Sequence, residues 1–173
     1  MSSVMHCVLA REWQEAQTHT TKGQHRRNNL NDNNGTGAIS LFTDAAWRSQ
    51  DRTAGCGWIS YDPWTGETRE GISTELFVAS PLMAEALAVR EALLQARALH
   101  LSNICLKSDN QVLIKALISK QHPVELYGIN LDIKNISSSF LSISFAYVPR
   151  ESNSAADALA KSALYHANSM LRF

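Results

Sequence analysis

Cysteine is scarce in this 173-residue chain: Cys7, Cys56 and Cys105 are odd in number and form no CxxC pair. That argues against a disulfide framework or a zinc site and suits a reducing compartment. Long apolar runs are missing as well. No stretch is long enough to span a bilayer, and Met1 to Ala10 lacks the basic start and long apolar core of a signal peptide. Nor is there an excess of either charge, since 16 Lys and Arg balance 16 Asp and Glu. A protein that grips nucleic acid over a long footprint usually carries a basic excess. Any polyanion contact here must be local or helped by a bound cation. The expected protein is soluble, intracellular and monomeric, with no membrane or disulfide partner, and nothing in it separates nucleus from cytoplasm.

The length suits one domain plus a tail. Residues 1–37 read as a flexible N-terminal tail or linker: Leu9 to Gln17 could form a short helix around Trp13, and Thr18 to Gly37 is too polar to order itself. A domain is expected over 38–168, followed by a C-terminal tail at 169–173.

Within that domain, Ala38 to Trp47 reads as a strand whose apolar run contains Asp44. Apolar residues on both faces mark a central strand. An aspartate there must cap a turn, meet a partner, hold a metal or reach the surface. Ala54 to Tyr61 and Glu67 to Phe77 complete an antiparallel meander around the turn Asp62-Pro63-Trp64-Thr65-Gly66. Ser80 as N-cap and Pro81 at the first helical position open a helix from Leu82 to about His100. Glu85 falls on its apolar stripe with Leu82, Val89, Ala92 and Ala96; a snorkelling edge residue is its plainer explanation. Asn103 to Ser108 is a fourth strand ending at Asp109, which could also cap the helix Gln111 to Ser119. A helix from Pro123 to Ser139, a strand from Leu141 to Val148 and a loop from Pro149 to Asn153 follow. The last helix runs from Ser154 to about Ala167, with Asp157 in its first turn, where the helix dipole alone favours an acid.

The order β-β-β-α-β-α-α-β-α makes the first and fourth strands parallel neighbours at the sheet centre. It gathers Asp44, Glu85, Asp109 and Asp157 near the C-terminal ends of those strands. Four carboxylates around one point cannot all stay ionised without a cation. A set of oxygen donors selects Mg²⁺ or Mn²⁺ over zinc. Two such ions about 4 Å apart serve phosphodiester hydrolysis.

Phe42-Thr43-Asp44, Met83-Ala84-Glu85-Ala86, Lys107-Ser108-Asp109-Asn110-Gln111 and Asn153-Ser154-Ala155-Ala156-Asp157-Ala158-Leu159-Ala160 resemble the successive motifs of type 1 ribonuclease H. They are most similar to its plant retroelement-derived, reverse-transcriptase-like group. The resemblance covers about Ile39 to Ala167, and Arg11 to Gln17 is similar to linker sequence upstream of such domains. It implies an α/β ribonuclease H-like fold: a five-stranded mixed sheet, three strands antiparallel and then parallel strands, with helices on both faces. It implies cleavage of the RNA strand of RNA/DNA hybrids, with Asp44, Glu85, Asp109 and Asp157 holding two Mg²⁺ or Mn²⁺ ions. Asp44 and Asp109 match the holders of the ion that activates the attacking water. Gln111 matches a minor-groove contact and Ser80 a DNA-phosphate contact.

Three departures accompany the likeness. Arg150 and Glu151 stand where the family often carries a loop histidine, which implies slower turnover and leaves Arg150 as a nucleic-acid contact. Pro81 and Leu82 replace asparagines that often precede the helix glutamate. The stretch from Asp109 to Leu141 has no room for a basic handle, and no amino-terminal hybrid-binding module is present, so weak hybrid affinity is expected. The competing expectation is a domesticated binding module with little or no catalysis. A proofreading-type exonuclease would want a glutamate where Ala46 stands. A scaffold has no reason to keep four inward carboxylates.

Overall fold

The computed structural model describes residues 37–119 and 121–170. The expected helix at Leu9 to Gln17, the linker up to residue 36 and residues 171–173 lie outside the described residues. Five strands, β1 (Ile39–Arg48), β2 (Thr53–Tyr61), β3 (Thr68–Glu75), β4 (Asn103–Ser108) and β5 (Ser142–Tyr147), form one sheet in the order β3-β2-β1-β4-β5. β1 pairs antiparallel with β2, and β2 with β3; β1 and β4, and β4 and β5, pair in parallel. This is the mixed sheet that the ribonuclease H resemblance implies.

Four helices cover it: α1 (Pro81–Ala98), α2 (Gln111–Ile118), α3 (Tyr127–Ser137) and α4 (Ser154–Met170). Successive side chains of a strand point to opposite faces, and β1 uses both. Leu41 packs with Val89 and Leu93 of α1, Leu113 of α2 and Ile133 of α3. Phe42 packs on the other face with Ile59 and with Ala155 and Ala156 of α4. Both β1 residues are at most 1% exposed, and each such side chain contributes about 1.5–3 kcal/mol when buried. The stripe Leu126, Ile129, Ile133 and Ile136 is buried as its spacing predicts.

Helix ends account for most boundary differences. The Ser80 hydroxyl accepts from the Met83 N–H at 3.1 Å, and Pro81 occupies the first position. At the other end, His100 adopts a left-handed φ of 57° and the Leu101 N–H reaches back to the Ala96 carbonyl. That terminating turn stops α1 at Ala98, short of the expected His100. Phe77, at φ 59°, likewise lies beyond β3, which ends at Glu75. The expected loop Pro149 to Asn153 is a 3-10 turn over Arg150–Asn153 that leads directly into α4. Among the described residues, no helix is long and apolar enough to cross a membrane.

Candidate active site

β1 and β4 stay paired only from Ile39 and Ile104 to Phe42 and Lys107. Beyond that pair β1 stays paired with β2 as far as Arg48, and β4 stays paired with β5 as far as Ser108. The opening between them is the switch point where α/β sheets place their sites. Asp44 lies two residues past the last β1–β4 pair, and Asp109 directly follows β4.

Asp44 is 5% exposed and shares the α4 face with Phe42. Glu85 comes from the second turn of α1, on the opposite face. Because the sheet has parted here, both carboxylates reach the same opening. One oxygen from each of Asp44, Glu85 and Asp109 lies within 4.8 Å of the others. Glu85 Oε2 is buried without a hydrogen-bond partner.

The electrostatics follow from this crowding. Burial, then the charge of Asp109 and the neighbouring Asp157, push Asp44 up from its ordinary 3.8 to about 7. Burial, then the charges of Asp44 and Asp109, push Glu85 up from 4.5 to about 9. Low dielectric and like charge both disfavour the ionised forms. A divalent cation would relieve both at once, and the all-oxygen donors suit Mg²⁺ or Mn²⁺.

Asp157 projects from the first turn of α4, and its carboxylate is one of the neighbours that raise Asp44. It stands outside the group of three and is held by Lys161 Nζ at 2.7 Å, one helical turn on. α4 comes this close because β2 is small beneath it. A Cβ on Gly57 would lie 2.6 Å from the Ala160 nitrogen and 2.7 Å from the Ala156 oxygen.

Asp109 does not cap α2. Asn110 takes that role, accepting from the Leu113 N–H at 2.9 Å. The Asp109 carboxylate is instead approached by Asn153 Nδ2 at 3.4 Å, which also donates to the Thr43 carbonyl at 2.9 Å. Asn153 is 1% exposed. It ties the strand that carries Asp44 to the acid after β4, a role that sequence reasoning missed. Its place, an N-cap type of residue immediately before a helix and four residues before an acid, was the available signal.

The three expected substrate contacts are placed as follows. Ser80 caps α1, and its hydroxyl donates to Glu125 Oε2 at 2.6 Å. Gln111 is the exposed first residue of α2, and Arg150 is exposed in the 3-10 turn three residues before Asn153.

A family model described as reverse transcriptase-like matches residues 42–163. Ribonuclease H1 from the halophilic archaeon Halobacterium salinarum NRC-1 is similar in structure, with a TM-score of 0.68 and 28% identity over 75% of this chain and 99% of that one. The LC11 ribonuclease H1, solved in complex with an RNA/DNA hybrid, has a TM-score of 0.67 and 22% identity over 75% and 99% of the two chains. The N-terminal ribonuclease H domain of a Mycobacterium tuberculosis protein has a TM-score of 0.68 and 20% identity over 78% and 99%. At these last two identities the likeness is one of fold. No curated protein matches the chain.

Proposed function

The chain belongs to the reverse transcriptase-like family, and from that premise we propose that it is a metal-dependent endonuclease that hydrolyses the RNA strand of RNA/DNA hybrids. The observation that carries this reading is the convergence of Asp44, Glu85 and Asp109 within 4.8 Å at the sheet opening. Asp157 completes the set from the α4 side. The finer placement in the plant retroelement-derived group rests on the wording of the motifs.

In this reading the four carboxylates hold two Mg²⁺ or Mn²⁺ ions. Bound there, such ions lower the pKa of water and balance the charge that develops on the leaving oxygen. The chain supplies the rest. Asp44 and Glu85 give up the protons that crowding makes them retain, and so create the negative charge that holds the cations. Asn153 fixes Asp109 against the β1 backbone, and Lys161 fixes Asp157. Gln111 faces the minor groove, where RNA is told from DNA by its 2′-hydroxyls and by groove shape. Ser80 and Arg150 take backbone phosphates, Ser80 by exchanging its hydrogen bond to Glu125 for one to phosphate. With no histidine in the turn before Asp157, the leaving oxygen takes its proton from solvent, and turnover is slow.

The test is incubation with a labelled RNA/DNA hybrid, an RNA duplex and a DNA duplex in Mg²⁺ or Mn²⁺, with Asp109→Asn alongside. Cleavage confined to the RNA strand of the hybrid and lost in the variant is expected. Metal-dependent binding of hybrid without cleavage would instead establish the domesticated binding module, the reading that the Ser80–Glu125 hydrogen bond and the missing histidine favour.

A further inference from the structure

α1 opens without an acid of its own. Its first turn carries no Asp or Glu, although the positive end of a helix dipole favours one there. The acid at this helix end comes instead from a distant part of the chain. Glu125, in the 3-10 turn Val124–Leu126 that leads into α3, accepts the Ser80 hydroxyl proton on Oε2 at 2.6 Å. Leu126 is fully buried and holds that turn against the core. Glu125 itself is exposed, so its carboxylate can leave Ser80 by side-chain rotation alone.

Ser80 cannot serve two anions at once. Its oxygen already accepts from the Met83 N–H at 3.1 Å, and a hydroxyl has one proton to give. While that proton goes to Glu125, no phosphate oxygen can take it. A carboxylate and a phosphate at one helix end also repel each other. Ser80 precedes Glu85 by five residues, roughly 7.5 Å along the axis of α1. That puts the helix end beside any nucleic-acid backbone bound at the carboxylate cluster.

We propose that Glu125 is a built-in competitor for phosphate at Ser80: its carboxylate stands where a backbone phosphate would bind and must be displaced when hybrid is seated. The inference rests on the hydrolase reading, which gives Ser80 its phosphate contact, and adds the residue that sets the strength of that contact. Apparent affinity falls with the fraction of molecules in which Ser80 is already taken. The same hydrogen bond and the same negative charge support the N-terminus of α1. Loss of Glu125 therefore lowers stability and raises affinity together. A contact that served only to cap the helix would lower stability without tightening binding.

Hybrid binding in Ca²⁺ and thermal melting of the full chain test this without requiring cleavage. Glu125→Ala is expected to bind hybrid about three to ten times more tightly than the parent, while its melting temperature falls by roughly 1–4 °C. Ser80→Gly removes the hydroxyl at little cost to the helix. In that background, Glu125→Ala should change binding less than about twofold, because the competition runs through the Ser80 proton. Glu67→Gln makes the same change of net charge in the turn between β2 and β3, at the other end of the sheet, and should leave binding unaltered. Binding by the parent that Glu125→Ala does not tighten overturns this inference and leaves the hydrolase reading standing. A gain that persists in the Ser80→Gly background, or that Glu67→Gln reproduces, overturns it as well, since Glu125 would then act only through net charge. Absence of hybrid binding in the parent and in Glu125→Ala alike overturns the hydrolase reading and this inference with it.

Discussion

Glu85 stands in the second turn of α1 with one carboxylate oxygen sealed from solvent and unpartnered, and Asp44 lies beside it at 5% exposure. Both hold protons at a pH where the unfolded chain has released them, Glu85 up to about 9 and Asp44 up to about 7. The folded state therefore binds more protons than the unfolded state from about pH 4 to about pH 9. Linkage then makes stability fall as pH rises through that window. Metal-free protein should melt lower at pH 9 than at pH 5, and added Mg²⁺ should recover most of the loss at high pH by binding only the folded form. Glu85→Gln and Asp44→Asn should flatten the dependence. They should raise the metal-free melting temperature at pH 9 by roughly 2–12 °C, the equivalent of about 1–3 kcal/mol. Both should lose the response to Mg²⁺. A pH-independent melting temperature in the parent, or an undiminished Mg²⁺ response in both variants, would mean that the two acids do not share one site.

At the level of elements, the seating of α4 on β2 decides where Asp157 stands. Gly57 leaves no room for a side chain against the Ala156 and Ala160 backbone. Gly57→Ala should therefore push α4 outward and destabilise the protein by about 1–3 kcal/mol. Since Asp157 rides on that helix, hybrid cleavage should fall further than the loss of folded protein accounts for. Chemical denaturation paired with activity per folded molecule separates the two effects. Activity that tracks only the folded fraction would show that α4 tolerates the shift without moving Asp157. The sequence shows the β2 glycines but not the helix that packs on them, because the contact is formed across roughly a hundred residues of chain.

Across the whole molecule, 16 basic and 16 acidic residues leave no net charge for long-range attraction to a polyanion. Hybrid binding should then rest on few phosphate contacts. About three of them would give a slope near −3 for the logarithm of the binding constant against that of salt concentration. A titration between low and moderate salt in Ca²⁺ measures this without cleavage. A slope steeper than about −6 would reveal a basic surface that the balanced total conceals.

The sequence determined the element order and the central place of β1, because apolar periodicity and capping residues such as Ser80 and Pro81 act over a few neighbours. It also marked Asp44 and Glu85 as acids within apolar patterns, and Asp109 as an acid at the end of the fourth strand. Tertiary structure decided what those local signals cannot contain. The parting of β1 from β4 after Phe42 and Lys107 lets acids from opposite sheet faces meet. Asn153 turns inward to hold Thr43 and Asp109 rather than serving only its own helix. Ser80 spends its hydroxyl proton on Glu125, 45 residues away. Each of these depends on groups brought together by packing, and a buried polar atom takes whichever partner the fold places within reach.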